Sequence, residues 1–177
     1  GLPSYDPGTI VINEIMPDPA SGGEYLELYN RANYAVDLSW WKLQIGDEEY
    51  RLPHGATLGP TSYVVIADTQ SWLTNAYQEI SDPSQMVLRH AGGKVWDWPI
   101  VWTSAVEHSA RVIEVPSITL PNSGAGISLM DVCSNLIDSL TYTNAAPWPY
   151  TAGISMELLE DTLDNSLATN WRASFVV

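Results

Sequence analysis

Glu14 and Glu27 are the residues whose types and spacing most directly suggest chemistry in this 177-residue chain. Glu14 lies in the run Ile10-Val-Ile-Asn-Glu-Ile15, and Glu27 in Glu24-Tyr-Leu-Glu-Leu-Tyr-Asn30. Residues 17–23 part the two runs with prolines, glycines, Asp18 and Ser21, which is turn chemistry. Put Val11 and Ile15 on the core face, with Leu26 and Leu28 facing them. Pairing Ile15 with Leu26 then sets Glu14 directly across from Glu27. Cross-strand neighbours have Cβ atoms only about 5 Å apart, and like charges at that distance destabilise the pair. A cation, a proton or an arginine must then offset the cost. A hard divalent ion such as Ca²⁺ takes several oxygen ligands, and Asp18 and Glu24 are close in sequence. Glu14, Glu27, Asp18 and Glu24 therefore make up the candidate metal set, with Ca²⁺ as the candidate ion. A register displaced by two, or carboxylates that simply face water, would leave no site, and no contiguous calcium-loop motif is present. A second acidic loop, with Asp161, Asp164 and Asn165, has the short polar side chains of turns and caps.

The tryptophans are the other candidate binding residues. Trp96, Trp98 and Trp102 fall in one stretch, and strand alternation in Trp96-Asp97-Trp98 would put two indoles on one face. Flat aromatic faces can stack a sugar ring or a partner's apolar surface; the bland alternative is a small satellite core. Trp40, Trp148 and Trp171 are expected in the core or at its edge. His54, His90 and His108 lack metal-ligand spacing. No Gly-x-Ser-x-Gly elbow, phosphate loop or zinc-protease helix appears. Cys133, alone in a strand-like Leu-Met-Asp-Val-Cys pattern, reads as a packed hydrophobe and not as a nucleophile. No enzymatic activity is expected.

The elements that would position these residues are strands. Eight Trp, nine Tyr and many Val, Ile and Thr are punctuated by 12 Gly and 12 Pro. Strands are expected over residues 10–15, 24–30, 36–45 (bulged at Trp40–Trp41), 50–52, 62–67, 127–131, 136–142 and 155–160. The apolar run 62–67 suits a central strand buried on both faces. Residues 69–79 would form one or two helical turns, and 84–90 with 94–102 an extra hairpin. Short strands at roughly ten-residue intervals point to a sandwich or barrel, and the absence of βαβ alternation argues against a doubly wound fold. The length suits one domain. The net charge of −14 gives no counterion-release advantage on a nucleic-acid backbone and repels anionic membrane surfaces. No apolar run reaches membrane-spanning length, so no membrane insertion is expected.

In order along the chain, these motifs resemble the bacterial lamin-tail domain family. The first half carries Ile10 to Ile15, Glu24 to Asn30, Val36-Asp-Leu-Ser-Trp-Trp-Lys-Leu43, Arg51-Leu-Pro53 and Leu58-Gly-Pro-Thr-Ser-Tyr-Val-Val65. The second carries Leu120-Pro-Asn-Ser-Gly124, Ile127-Ser-Leu129, Leu136-Ile-Asp-Ser-Leu140, Trp148-Pro149, Gly153-Ile-Ser-Met-Glu157 and Asn170-Trp-Arg172. The resemblance implies an all-β, immunoglobulin-like β-sandwich of antiparallel strands, one domain over residues 1–177 with an insertion at about 70–115. It also implies a non-catalytic module of a larger secreted or surface-attached bacterial protein, recognising a protein or a surface polymer. Two alternatives remain: a carbohydrate-binding module using the insertion tryptophans, and an accessory domain of an extracellular hydrolase or nuclease. The sequence leaves the oligomeric state open.

Overall fold

The computed structural model describes residues 4–68 and 112–174. The helical turns expected over 69–79, the hairpin over 84–102 and Trp96, Trp98 and Trp102 lie outside the described residues. The strands are β1 (Ile10–Met16), β2 (Tyr25–Asn30), β3 (Val36–Asp37), β4 (Lys42–Ile45), β5 (Glu48–Arg51), β6 (Thr57–Leu58), β7 (Tyr63–Ala67), β8 (Val112–Glu114), β9 (Gly124–Met130), β10 (Leu136–Thr143), β11 (Met156–Leu158) and β12 (Trp171–Ala173). A six-stranded sheet runs β12-β11-β1-β2-β7-β8, a four-stranded sheet β10-β9-β4-β5, and β3 pairs with β6. The architecture is the all-β sandwich expected, and among the described residues its strand pairings are antiparallel with one exception. β8 runs parallel to β7, with Val65 beside Val112 and Ala67 beside Glu114.

One core lies between the sheets. Ile10, Ile12, Ile15, Leu26, Leu28 and Ile66 meet Leu43, Leu129, Ile137 and Tyr142 there, with Trp41 fully buried among them. In β2, strict alternation puts Leu26 and Leu28 inside. β1 breaks that rule at a bulge: Ile12 faces Leu28, Glu14 faces Glu27, and Asn13 is the extra residue between them. The bulge re-phases the strand, so Ile10 and Ile12 before it and Ile15 after it all reach the core. Val11, expected on the core face with Ile15, is buried but stands outside that cluster. A one-residue insertion moves every later side chain to the other face.

Several local expectations change for physical reasons. The strand foreseen over 36–45 is cut in two by a turn, because Trp40 adopts a left-handed φ of 65°. Trp41 takes the core position and Trp40 is 49% exposed, the reverse of the expected core role for Trp40; Trp148 and Trp171 are buried as expected. β7 is not buried on both faces: Tyr63 and Val65 are only half-buried, and among the described residues the three-residue β8 is what lies beyond it in the sheet. Cys133 is exposed, because β9 ends at Met130 and the Asp131 carboxylate folds the next residues into a turn by accepting the N–H groups of Cys133 and Asn135.

Candidate functional site

The pairing of Ile15 with Leu26 sets Glu14 opposite Glu27, the register on which the carboxylate reading depended. Glu157 of β11, which no spacing in the sequence brings to this pair, is the neighbour of Glu14 on the other side. Arg172 of β12 then faces Glu157, and Val65 of β7 faces Glu27. A row of three carboxylates thus crosses the middle of the six-stranded sheet on the side away from the core. It does not simply face water, since Glu14 is 9% exposed and Glu157 fully buried. Donors offset part of the like-charge cost. The Tyr25 hydroxyl donates to Glu14 Oε1 at 2.7 Å, Asn13 Nδ2 to Glu27 Oε1 at 2.8 Å, and Arg172 Nε to Glu157 Oε1 at 2.5 Å.

Asp18 and Glu24 are engaged elsewhere. Asp18 accepts a hydrogen bond from the Tyr150 hydroxyl at 2.8 Å. Glu24 accepts one from the Leu120 amide at 2.5 Å, and burial pushes its carboxyl pKa up. Both carboxylates pin the turn before β2 to the segments leading into β9 and β11. Among the described residues, no group of three or more His, Cys, Asp or Glu side chains is arranged to hold a metal ion.

Asp138 is a half-buried acid that sequence reading passed over. β11 is only three residues long, so its pairing with β1 covers Glu14 and Ile15 and stops short of Ile12. Side chains take over at that point. Asp138 Oδ2 accepts the Ile12 amide at 2.7 Å and Asn165 Nδ2 at 2.7 Å, while Asn165 Nδ2 also donates to the Ile12 carbonyl at 3.0 Å. Burial raises the Asp138 pKa, against those hydrogen bonds. Its half-extended alternation in β10 looks like that of any solvent-facing strand residue, so only the shortness of β11 gives it away. Arg31, donating to the carbonyls of Asp161 and Leu163, fixes the same loop from the other side.

The third constellation is aromatic and sits at the β3–β4 turn. The Trp40 ring lies 5.8 Å from the His54 ring, tilted at 45°. A bulky residue at positive φ is a backbone outlier that costs on the order of 1 kcal/mol. Asp37 lies beside this pair: hydrogen bonds from Ser39, followed by the His54 charge, hold its carboxyl below the usual range. Asp37, Ser39 and His54 do not form a catalytic triad, since the Ser39 group bonds Asp37 and receives the Gly55 amide, with no Ser39–imidazole hydrogen bond. An open groove of about 760 Å³ adjoins His54, lined in part by Pro53, Ala56, Val64, Ile113 and Pro116.

Comparison with known families matches residues 3–144 to the Lamin Tail Domain model. The chain belongs to the lamin tail domain family. Lamin tail domains are immunoglobulin-like and generally non-catalytic, in keeping with this sandwich. The match ends before β11 and β12, yet both strands extend the six-stranded sheet of this lamin tail domain, β11 by pairing with β1 and β12 by pairing with β11. No curated protein matches the chain. Among the described residues, no helix is long and apolar enough to cross a membrane.

Proposed function

We propose that this lamin tail domain is a recognition or display module of a secreted or surface-attached bacterial protein, contacting another protein or a surface polymer. The observation that carries the reading is the division of labour among its polar groups. The carboxylates that spacing marks for chemistry, Glu14, Glu27, Asp18 and Glu24, accept hydrogen bonds inside the framework from Tyr25, Asn13, Tyr150 and the Leu120 amide. Among the large hydrophobic residues that the described surface exposes, Trp40 stands on a turn beside His54, and loops on a rigid scaffold are where binding residues concentrate. The excess of acid disfavours nucleic acid as the ligand.

Labelled domain titrated onto isolated bacterial envelope material tests the reading. Saturable binding is expected, and protease or periodate treatment of the envelope then tells a protein ligand from a polymer. Absence of saturable binding to untreated envelope defeats it.

A further inference from the structure

We propose that Trp40, backed by His54 and flanked by Asp37, is a stacking platform for the pyranose ring of a neutral glycan. The inference rests on the recognition reading above and supplies its ligand class and site. It is a site separate from the tryptophans at 96, 98 and 102.

The backbone at residue 40 has φ 65°, a conformation that glycine adopts freely and a bulky side chain does not. The chain nevertheless places its largest side chain there. Packing does not repay the strain, because about half of Trp40 is exposed while the adjacent Trp41 fills the core completely. A strained residue whose side chain is not buried is the pattern expected where the side chain meets a ligand. The backbone beneath the ring is anchored, since the Trp40 main-chain N–H donates to the Leu52 carbonyl at 3.1 Å, and the indole itself leans on the His54 ring, with 5.8 Å between centroids. Its orientation is therefore set before any ligand arrives, which lowers the entropic cost of binding.

The surroundings select among ligands. A pyranose offers an apolar C–H face ringed by hydroxyls. The indole matches the face, and Asp37 and His54 can meet hydroxyls as acceptor and donor. Asp37 is exposed and held ionised by its hydrogen bonds from Ser39, which makes it an acceptor only. That charge, together with a net −14 over the chain, opposes uronic acids, sialic acids and sulfated sugars. The adjoining groove, about 760 Å³, has room for further units of a polymer and falls in the ~300–1,000 Å³ range of ligand sites.

The test titrates wild type and W40G with hexasaccharides of glucose, mannose, galactose and N-acetylglucosamine, read by calorimetry and tryptophan fluorescence. Wild type is expected to bind at least one with saturation, and W40G to bind it at least tenfold more weakly. Thermal melting of W40G is expected at or above the wild-type temperature, because glycine relieves the left-handed strain. His54→Ala should weaken the same sugar without abolishing it. Undiminished binding by W40G overturns the site while leaving the recognition reading intact. Failure of wild type to bind any of the four, or a melting temperature of W40G several degrees below wild type, overturns the proposal as well. Envelope binding by wild type, measured alongside, shows whether the recognition reading falls with it.

Discussion

Glu157 shows how a single residue's worth depends on what lies opposite it. Its carboxylate is fully buried, and Arg172, whose side chain keeps 30% of its surface in solvent, donates to it. Removing one partner of a buried pair strands the other's charge, at a cost of about 3–5 kcal/mol. Arg172→Met should therefore destabilise the domain by about 3 kcal/mol in urea unfolding, the low end because Arg172 is partly solvated. Adding Glu157→Gln to that variant should recover part of the loss; a double variant no more stable than Arg172→Met would show that the charge is not the issue. Asp138 carries a pH signature of opposite sense to the usual carboxylate. Its folded pKa is raised by burial, so the folded state holds the proton more tightly than the unfolded state. Its stabilising contribution is full below the ordinary aspartate pKa and is lost as pH rises through the raised folded value. The melting temperature of wild type relative to Asp138→Asn should accordingly increase as pH is lowered from 7 towards 4.5. A difference that stays flat over that range would remove Asp138 as a titrating group.

At the scale of elements, the bulge in β1 and the shortness of β11 together decide where polar side chains must replace strand pairing. Asp138 and Asn165 serve as a surrogate strand edge for Ile12, and Trp171 Nε1 holds Asn165 in place by donating to its carbonyl at 2.8 Å. The β9–β10 hairpin depends on backbone proximity. Gly124 has φ 113°, and a Cβ there would lie 2.7 Å from Thr143 Cα and closer still to the Tyr142 carbonyl. Gly124→Ala is expected to cost more than about 1 kcal/mol, since the native conformation is incompatible with a side chain. Calorimetry would show the loss, and an unchanged melting temperature would mean that β10 can shift away. In the sequence Gly124 stands only as the end of the Leu120-Pro-Asn-Ser-Gly124 motif, and the close approach of β10 became visible only with the register.

At the scale of the whole molecule, 21 acidic against seven basic side chains make the folded chain repel itself. Salt screens charges over about 10 Å at 0.1 M. Raising NaCl from about 10 mM to 0.5 M should therefore raise the melting temperature. A decrease would mean that specific ion pairs such as Lys42–Glu49 and Arg51–Glu49 outweigh the general repulsion.

Period-two alternation and turn residues were enough to read β1, β2, β9 and β10, because those patterns are local consequences of backbone geometry. The Glu14–Glu27 apposition was legible too, even though the premise that Val11 shares the face of Ile15 failed, because the bulge at Asn13 lies on the far side of Glu14 from the turn and leaves the hairpin register near it intact. What the chain could not announce was long-range: Glu157 and Arg172 joining the carboxylate row from more than a hundred residues away, Asp138 clamping Ile12, and β8 adding itself parallel to β7. The Trp40–Trp41 assignment failed for a related reason. Two adjacent tryptophans look alike in sequence, and only the turn imposed by the pairing of β3 with β6 and of β4 with β5 decides which one enters the core and which is held out. The sequence by itself thus determined the strands, the family and the acidity, since each follows from neighbouring residues or from composition. The tertiary structure alone decided which polar groups neutralise one another and which aromatic ring stays available, since both depend on chain segments brought together only when the sheets close over their shared core.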